Sequence, residues 1–549
     1  MKKTAWRLLA VLLSASLALI PGCSGSGPVE VKKEGFPLVD KKITLSAMVM
    51  SISLHGNFND MDFTKVMEEK TNVHIDWKVV PNGNEITEAK TLAFASGNMP
   101  DMFFITDTHM TNYDVATYGL QGLIAELNEL IDGYAPNLSA IFAEHPEYKT
   151  MISDTNGRIY SLPAISNETK NHSNYKNKMY INRKWLDTLG LSMPQTTDEL
   201  YAVLEKFRDG DPNGNGLGDE IPFSTPGLDP AMFGPWGLSF WWDMDIMTID
   251  DNKQVQYVPI TDAFKSGLEY WAKMMKEGLL DPESLSQTAD QLKAKLSTSD
   301  EKIGVFMSNA DFMDYGYDRA ANYEMVPPLK GPDGKQAWTY MSRENFMGNW
   351  AVISGTCKYK EAAMRWIDYL YSEEGTMLGQ DGPDGKAYTY QADGKIKDTF
   401  NENVPKDDKG NPMEGNAWRY QMTPGYVLPY YRSQSLYEKK IPLADSEKSP
   451  AQIKNDELNE KAFALYDPVK PRYSMPYIMF SRQDAGQIGN NGTLAGPIHA
   501  LASETYQAII YGDFSIDAEW DAYVQNLKTM GVERLIDIYQ GYVDKYYAE

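Results

Sequence analysis

The feature that most restricts the fold of this chain is the regular alternation of helical and strand-like hydrophobic patterns. A helical pattern at 63–67 is followed by apolar and polar residues that alternate from Val73 to Val79, the period of a half-buried strand. Further strand patterns lie at 102–105, 179–181 and 303–307, and helical patterns at 123–131, 183–189, 196–207, 264–277, 362–370, 520–530 and 535–539. Strands that take turns with helices predict the α/β class, with mainly parallel sheets.

The amino terminus has the layout of an export signal. Lys2, Lys3 and Arg7 precede an apolar run from Leu8 to Ile20 whose only polar members are two serines. The run has thirteen residues, whereas a membrane-spanning helix needs about 20. We therefore expect residues 1–22 to be a signal peptide that is removed. The rest of the sequence has no apolar run of spanning length.

The tetrapeptide Ile20-Pro21-Gly22-Cys23 resembles the bacterial lipobox, whose cysteine receives a palmitate-type lipid. Pro21 is unusual at its position, and signal cleavage beside an incidental cysteine is the alternative. A lone cysteine at a signal boundary has no disulfide partner nearby, which favours lipidation of Cys23. Residues 23–41 are then a lipid-anchored linker, flexible from Ser24 to Pro28, that tethers the protein to the extracytoplasmic face of the cell membrane.

The body of the protein is large and acidic. Loss of the signal peptide leaves 527 residues, enough for two or more domains, and changes the net charge from −24 to −27 because two lysines and one arginine are removed. This charge, without a basic stripe, excludes nucleic acid and leaves the lipid as the only membrane contact. Cys357 has no partner for a disulfide in the mature domain, so a buried apolar role is expected.

The segment Asp211–Glu220 has the spacing of a calcium loop. Oxygen donors recur at alternate positions with glycines between them, as in an EF-hand loop, and calcium takes 6 to 8 oxygen ligands. The predicted ligands are Asp211, Asn213, Asn215, the carbonyl of Leu217, Asp219 and Glu220. Pro222 stands where an EF-hand has its twelfth residue, so a single structural ion is expected and not a calcium switch. A metal-free turn is the alternative interpretation.

Several short segments, taken in order behind the lipobox, carry a resemblance to a known family. They are FTKVMEEKTNV at 63–73, ASGNMPD at 95–101, DEIP at 219–222, EGLLDP at 277–282 and LKTMG at 527–531. With these segments the chain resembles the extracellular solute-binding lipoproteins of ABC transporters, in the carbohydrate-type family 1 group that includes the alginate-binding proteins. The likeness extends over nearly the whole mature chain.

The resemblance implies a two-lobed periplasmic-binding-protein-like fold of type II. Two α/β lobes are joined by a hinge, and the ligand is held in the cleft between them until the closed form meets an ABC permease. The first lobe is expected at 42–164 plus about 350–410, and the second at 165–349 plus about 411–549. The protein is expected to be a monomer.

Sugar recognition combines aromatic rings with planar polar groups, and the chain contains 12 Trp and 34 Tyr. Trp77, Trp271 and Trp366 fall on predicted buried faces. The loop 234–243 holds three tryptophans without a clear period, and the resemblance implies ligand contact there and near the later crossings; burial of all three is the alternative. The expected ligand-binding residues are Trp236, Trp241, Trp242, Arg343, Glu344, Trp350, Glu414 and Trp418. Asn57, Asp60, Asn98 and Asp101 are explained equally well as turn or cap residues.

An enzyme is the rival class, chiefly a secreted calcium-stabilised glycoside hydrolase, and a non-transport glycan receptor is a third possibility. A glycosidase needs two placed carboxylates, which 76 acidic residues cannot specify. No hydrolase, zinc or nucleotide motif is present. The sequence therefore predicts a binding protein that captures an oligosaccharide and delivers it to an ABC permease. The acidic charge favours a neutral glycan over a polyanion, with a peptide as the alternative ligand.

Overall fold

The computed structural model describes residues 29–548 apart from 169–173, 176, 243–245, 309–321, 341–345, 407–412, 414, 445, 447, 449 and 489–491. Its strands are β1 (Ile43–Ser51), β2 (Val73–Pro81), β3 (Met102–Phe104), β4 (Leu162–Ser166), β5 (Lys178–Asn182), β6 (Ile221–Ser224), β7 (Met247–Ile249), β8 (Val255–Tyr257), β9 (Ile303–Ser308), β10 (Tyr323–Met325), β11 (Phe346–Ile353), β12 (Tyr388–Tyr390), β13 (Ile396–Asp398), β14 (Tyr431–Arg432) and β15 (Lys440–Ile441).

The helices are α1 (Asp62–Thr71), α2 (Asn84–Ser96), α3 (Asn112–Leu120), α4 (Asn128–Tyr134), α5 (Pro136–Glu144), α6 (Pro146–Ile152), α7 (Arg183–Leu189), α8 (Thr197–Asp209), α9 (Asp262–Lys276), α10 (Ala289–Leu296), α11 (Lys360–Tyr369), α12 (Glu373–Gln380), α13 (Phe400–Asn403), α14 (Gly415–Met422), α15 (Gln434–Lys439), α16 (Pro450–Tyr466), α17 (Arg482–Ala485), α18 (Ala495–Tyr511), α19 (Ile516–Met530) and α20 (Val532–Ala548). In the described part of the chain, no helix is both long and apolar enough to cross a membrane.

A six-stranded sheet organises the first lobe, in the order β14-β4-β11-β3-β1-β2. Its strands run parallel except β11, which is antiparallel to both neighbours. From Ala47 to Met50 every residue of β1 is buried, because both faces of the sheet are covered. A continuous apolar run is typical of such a strand.

A four-stranded sheet organises the second lobe, in the order β10-β5-β9-β6. Here β6, β9 and β10 share one direction and β5 opposes them. Helix α8 begins where Thr196 accepts a hydrogen bond from the amide of Glu199 at 3.1 Å. Its predicted apolar face, from Leu200 to Phe207, is buried in the lobe's core. Together the two sheets confirm the predicted α/β class.

The connections between the sheets join their carboxyl edges. The chain leaves the first sheet after β4 and enters the second at β5, and it leaves the second after β10 and returns at β11. Since β5 and β11 run against the other strands of their sheets, both connections meet each sheet where its parallel strands end. In α/β proteins, ligands bind outside these carboxyl ends.

Residues 475–480 link the lobes a further time. Met475, Ile478 and Phe480 are buried in the second core, whereas Tyr477 and Met479 are buried in the first. An extended segment points successive side chains in opposite directions. The segment is therefore shared between the two cores and belongs to the hinge.

The linker predicted for 23–41 does not extend over residues 29–41. Val31 and Val39 form an antiparallel bridge, and the side chains of Leu38 and Val39 are fully buried in the first core. Flexibility is predicted only for Ser24–Pro28, and after it the side chains of Leu38 and Val39 reach the core and fix the backbone. A linker can then extend only over 23–28, which lies outside the described residues.

The predicted lobe boundary near 411 also differs. Strand β14 pairs in parallel with β4, with Tyr431 beside Ile165, and Val427 and Leu428 are buried in the first core. Segment 415–432 therefore belongs to the first lobe, while α16 and α18–α20 pack in the second. A strand this short is created by a long-range pairing and leaves no local pattern.

The helix predicted at 123–131 is shorter than expected. Helix α4 begins at Asn128, whereas Ile124 forms an antiparallel bridge with Ser354 and the amide of Ala125 donates to Ile353 at 2.9 Å. The apolar residues before Asn128 thus extend the sheet region. Short apolar runs fit strand and helix alike.

Candidate functional site

Side chains of several kinds converge where the first sheet's strands end. His55 follows β1, Glu168 follows β4 and Arg432 ends β14, while α14 and the 3₁₀ turn at Gly425–Val427 lie over the same edge. A backbone hydrogen bond connects α14 to the segment that follows β1: the amide of Gly56 donates to the carbonyl of Tyr420 at 3.1 Å. We call His55, Glu168 and Arg432, together with Trp350, Tyr430, Asp381 and Lys440 described below, the carboxyl-edge cluster.

Aromatic rings form one side of the carboxyl-edge cluster. Trp350 on β11 is 4% exposed and packs with Ala164 and Tyr430. Its indole Nε1 donates to the carbonyl of Tyr426 at 2.6 Å, which fixes the ring's orientation. The guanidinium of Arg432 lies 5.5 Å from the centre of the Tyr430 ring, within the range of a cation–π contact.

His55 is a neutral ring that connects the end of β1 to the residue before the 3₁₀ turn at Gly425–Val427. Its Nδ1 accepts a hydrogen bond from the amide of Ile52 at 3.1 Å, and its Nε2 lies 3.0 Å from the carbonyl of Pro424. An N–H donor at one nitrogen and a carbonyl at the other require the proton on Nε2. Burial lowers the pKa of His55 to about 4. The ring also meets Tyr420 edge to face at 4.8 Å.

Charged groups form the other side of the cluster. Lys440 pairs with Asp381 at 3.1 Å. Burial alone would raise the pKa of Asp381, but Lys440, Arg432 and Arg419 together hold it below its ordinary value. Burial raises the pKa of Glu168 against the opposing effect of Arg432 and Lys440. Among the described residues, neither the Glu168 carboxylate nor the Arg432 guanidinium has a hydrogen-bond or ion-pair partner.

The carboxyl edge of the second sheet contributes a carboxyl group of its own. Asp229 follows β6, accepts a hydrogen bond from the amide of Ala231 at 2.8 Å and pairs with the side-chain amide of Asn177. Burial raises the pKa of Asp229 to about 7. The carbonyl of Asn177 accepts from Trp338 at 3.0 Å, so the two connections between the sheets are joined at Asn177, which also bonds Asp229.

The loop at Asp211–Glu220 forms a compact turn of oxygen acceptors. Both Asp211 oxygens accept backbone amides, from Asn215 and Gly216, each at 3.1 Å. The amide of Asn215 also donates to Asn213 Oδ1 at 3.0 Å. Gly214 and Gly216 have φ of 73° and 74°, a left-handed conformation that glycine adopts without strain. This turn brings the side chains of Asp211 and Asn213 around the backbone of Asn215.

Glu220 is the unusual group of this loop. Both of its carboxylate oxygens are buried and lack a hydrogen-bond partner, and burial raises its pKa. Asp219 is engaged instead, with Lys302 Nζ at 2.6 Å and Asn215 Nδ2 at 3.0 Å. The described residues contain no cluster of three or more histidine, cysteine or carboxylate side chains that fits a metal ion, so amide and carbonyl oxygens must supply the rest of any shell.

A family model described as "Bacterial extracellular solute-binding protein" matches residues 57–377. The match covers more than half of the chain. The chain belongs to this family. Its members are solute-binding proteins, which agrees with the predicted binding role and not with the rival enzyme class.

Known relatives share most of this solute-binding protein's length. The fructooligosaccharide ABC transporter substrate-binding protein FusA of Streptococcus pneumoniae is 30% identical over 562 residues, with 98% of each chain covered. The structure of FusA with kestose superposes with a TM-score of 0.73 at 27% identity, covering 92% of this chain and 100% of that one. An EF-hand mutant of FusA with fructo-nystose gives 0.74 at 27% identity, with the same coverage. These matches confirm the predicted two-lobed fold.

The predicted aromatic ligand residues of this solute-binding protein lie in different surroundings. Trp350 belongs to the carboxyl-edge cluster. Trp236 is 6% exposed and packs on Tyr270 at 5.5 Å, and its contact with the ligand stays a prediction. Trp242 is half-buried with its Nε1 on the Leu228 carbonyl at 2.7 Å, and Trp418 is buried in a small core beside β12 and β13.

Trp241 keeps the character of a contact residue, because its half-buried indole has a buried Nε1 without a hydrogen-bond partner. Arg343, Glu344 and Glu414 lie outside the described residues. Asn57 and Asp60 bond to one another at 2.7 Å, and Asp101 accepts from Ser46 at 2.8 Å. These polar groups are local turn and strand-end partners.

Sequence reasoning missed Glu168, Asp381, Tyr430 and Arg432, which lie on three separate segments. A local pattern existed for Tyr430 and Arg432, because residues on either side of one position, here Tyr431, lie on the same face of a strand. No signal connected them to Glu168, because β14 is created by its pairing with β4. The proximity of Asp381 depends in turn on Lys440, which follows α15.

Proposed function

We propose that this solute-binding protein captures a neutral oligosaccharide at the carboxyl-edge cluster and delivers it to an ABC permease. The observation that carries the proposal is the juxtaposition of the Trp350–Tyr430 aromatic pair with Glu168 and Arg432, two charged groups that have no hydrogen-bond or ion-pair partner among the described residues. Sugar rings offer C–H faces to aromatic rings and hydroxyls to charged groups. FusA, 30% identical over 98% of each chain, is a fructooligosaccharide-binding protein.

The mixed charge of the cluster supports a neutral ligand. Asp381 is already neutralised by Lys440, and Arg432 stands beside Glu168. A polyanionic ligand would meet the Glu168 carboxylate and the field of an acidic protein. Hydroxyl groups, by contrast, accept from a guanidinium and donate to a carboxylate at once. A neutral sugar therefore satisfies both unpaired groups.

Two lobes joined at their carboxyl edges support a transport role. The second lobe brings Asp229 and Trp241 to its own edge, so a ligand on the carboxyl-edge cluster would gain contacts when the lobes close. Hinge closure around a ligand is a recurrent switching mode of binding proteins. We infer that the closed form is what an ABC permease recognises.

A lipid on Cys23 would place the protein at the extracytoplasmic face of the membrane. The apolar run, the lipobox-like tetrapeptide and the extracellular family support this location. A tethered binding protein gains effective concentration at its membrane partner. The anchor is tested by mass spectrometry of the membrane-extracted protein, where an unmodified Cys23 would contradict it.

We propose that the Asp211–Glu220 loop binds one structural calcium ion. The buried, unpartnered carboxylate of Glu220 supports a cation, because a buried charge without a partner is costly. The side chains of Asp211, Asn213, Asn215, Asp219 and Glu220 and the carbonyl of Leu217 would hold it, and Lys302 would have to release Asp219. Bound calcium would supply positive charge to these oxygens. FusA also has an EF-hand that has been mutated.

The function is tested with a panel of oligosaccharides in a thermal-shift assay, with calcium present. The panel includes kestose and other neutral glycans, an acidic uronate oligosaccharide and a peptide. A rise in melting temperature with a neutral glycan is expected, and shortened products should be absent after incubation. A panel without any shift, or a shift with the peptide alone, would contradict the proposal.

A further inference from the structure

Ser166 carries a buried hydroxyl group that has no hydrogen-bond partner in the described part of the chain. The residue is 3% exposed, and its Oγ neither donates nor accepts a hydrogen bond there. It is also the polar residue at the end of an otherwise apolar strand, since β4 has the sequence LPAIS. A buried hydroxyl without a partner lowers stability. The folded chain alone therefore gives no reason for a polar group at this position.

The pairing of β4 with β14 places Ser166 on the face of the sheet that carries Tyr430 and Arg432. The amide of Ile165 donates to the carbonyl of Tyr430 at 2.9 Å. The amide of Asn167 donates to the carbonyl of Arg432 at 2.9 Å, so the pairing continues past Ser166. Arg432 is the register partner of Ser166. Partners in register share a face of the sheet, as do residues two positions apart on one strand.

The contacts of the neighbouring side chains agree with this assignment. Asn167 Nδ2 donates to the hydroxyl of Tyr431 at 2.9 Å, and both of these residues belong to the opposite face. Ala164 packs with the Trp350–Tyr430 aromatic pair. The serine lies two residues beyond Ala164. It therefore continues the aromatic face towards the carboxyl edge of the sheet.

Two charged groups of the carboxyl-edge cluster lie next to this hydroxyl. Arg432 is on the adjacent strand, and strands in a sheet lie about 4.8 Å apart. Glu168 follows Ser166 by two residues, roughly 6.6 Å in an extended chain. Burial raises the pKa of Glu168, and the nearby charge of Arg432 opposes that rise. One face thus presents a hydroxyl, a guanidinium and a carboxylate that all lack a hydrogen-bond or ion-pair partner among the described residues.

We propose that Ser166 is a specificity-determining residue of the oligosaccharide site, and that its hydroxyl forms a hydrogen bond with one hydroxyl of the bound sugar. The inference rests on the proposed function. A sugar hydroxyl both donates and accepts, so one can bond Ser166 while its neighbours on the sugar ring bond Arg432 or Glu168. Opening of the lobes admits the sugar, and closure buries this bond away from water.

The consequence is selection against sugars that lack this one hydroxyl. A deoxy analogue would leave the Ser166 hydroxyl buried and unpaired, and a site built to bond a ligand hydroxyl rejects an analogue without it. The penalty for the analogue should disappear when the serine hydroxyl is removed as well. Packing against aromatic rings would not create such a dependence on a single pair of hydroxyls.

The test is a thermodynamic cycle between Ser166→Ala and monodeoxy analogues of the ligand. Calorimetry measures the affinity of each protein for the neutral oligosaccharide that binds the wild type most tightly, with kestose tried first, and for its monodeoxy analogues. Thr117→Val is the matched control, because Thr117 Oγ1 is also buried without a partner among the described residues but lies on α3, outside the cluster. Melting temperatures show whether each protein is folded.

We expect Ser166→Ala to bind the parent oligosaccharide roughly 5- to 10-fold more weakly than the wild type does. Its melting temperature should not fall, because the hydroxyl has no partner to lose in the free protein. One monodeoxy analogue should bind the wild type at least about 5-fold more weakly than the parent does, yet bind Ser166→Ala as well as the parent does. Thr117→Val should bind like the wild type.

Undiminished affinity in Ser166→Ala, or a loss of the same size for the parent and for every analogue, would overturn the inference and leave the proposed function standing. A Ser166→Ala protein that fails to fold would overturn it too, because the hydroxyl would then have a structural role. A folded wild type that binds no neutral oligosaccharide would contradict the proposed function, and the inference with it.

Discussion

The phenol of Tyr477 donates a hydrogen bond of 2.6 Å to Asn112 Oδ1 and so ties the last inter-lobe segment to the first lobe. Asn349 Nδ2 donates to the same oxygen at 2.7 Å, and Asn112 Nδ2 donates back to the carbonyl of Ile478 at 2.8 Å. A β-carbon on Gly348 would lie 2.2 Å from the Tyr477 ring. The hinge is thus stabilised by close packing and by the side-chain amide of Asn112, whose oxygen and nitrogen are both hydrogen-bonded.

Removing the Tyr477 hydroxyl should lower stability by a modest amount. Tyr477→Phe leaves Asn112 Oδ1 with its Asn349 donor, so we expect a loss of about 1 kcal/mol in the free energy of unfolding, measured by urea denaturation. Tyr437→Phe, at an exposed position, serves as the control and should change little. A Tyr477→Phe protein as stable as the control would show that this bond does not stabilise the hinge.

The two unpaired charges of the carboxyl-edge cluster should matter for affinity more than for folding. Arg432→Gln and Glu168→Gln each remove a charged group that has no hydrogen-bond or ion-pair partner among the described residues. We expect each to weaken kestose binding by roughly 10- to 100-fold, since a hydrogen bond to a charged group contributes about 1.5–3 kcal/mol. Binding is measured by calorimetry, with the exposed Arg472→Gln as the control. Undiminished affinity in both variants would remove these residues from the site.

The raised pKa of Asp229 predicts that the stability of the protein depends on pH, and it fixes the direction of that dependence. Its pKa is raised from 3.8 to about 7 in the folded protein, so the native state keeps a proton that the unfolded chain has lost. Its contribution to stability therefore falls as the pH rises from about 4 to about 7. Asp229→Asn keeps a neutral side chain throughout.

The measurement is the melting temperature at a series of pH values. Relative to the wild type, Asp229→Asn should gain stability between pH 4 and 7, while Asp537→Asn, at an exposed position, should give a flat difference. A difference for Asp229→Asn that does not depend on pH would mean that the carboxyl group titrates normally.

We predict that calcium stabilises the protein and that this effect requires the carboxylate of Glu220. Calcium added to chelator-washed protein should raise the melting temperature, because a ligand that binds only the native state stabilises it. In Glu220→Gln the rise should be much smaller, whereas the exposed Glu269→Gln control should behave like the wild type. No rise in the wild type would contradict the calcium assignment.

Local patterns predicted the elements whose neighbours in sequence are also their neighbours in space. The helix at Thr197–Asp209 is predicted from its cap at Thr196 and its apolar face, and β2 from its strict alternation. The three tryptophans of loop 234–243 had no such period. One of them, Trp236, serves as core. An aromatic ring in a glycine-rich loop can pack against its own lobe as well as against a ligand.

The charged groups of the proposed binding site could not be predicted from local sequence patterns, for a different reason. Glu168 and Arg432 are brought near each other because β14 pairs with β4, although the two residues are 264 positions apart in the sequence, and no residue type at either end indicates that pairing. The amino-terminal segment 29–41 is similar, since burial of Leu38 is decided by the β1–β2 edge. The family resemblance predicted the lobes and the cleft, but the charged groups of the cleft come together only through long-range strand pairing.

The most direct test of the proposed function is calorimetric titration of the lipid-free protein with kestose and with the other neutral oligosaccharides of the panel, in the presence of calcium. The account predicts saturable binding of at least one neutral oligosaccharide, strongly weakened in Arg432→Gln and retained in Arg472→Gln. The absence of heat with every neutral oligosaccharide, from protein that is folded, would contradict it.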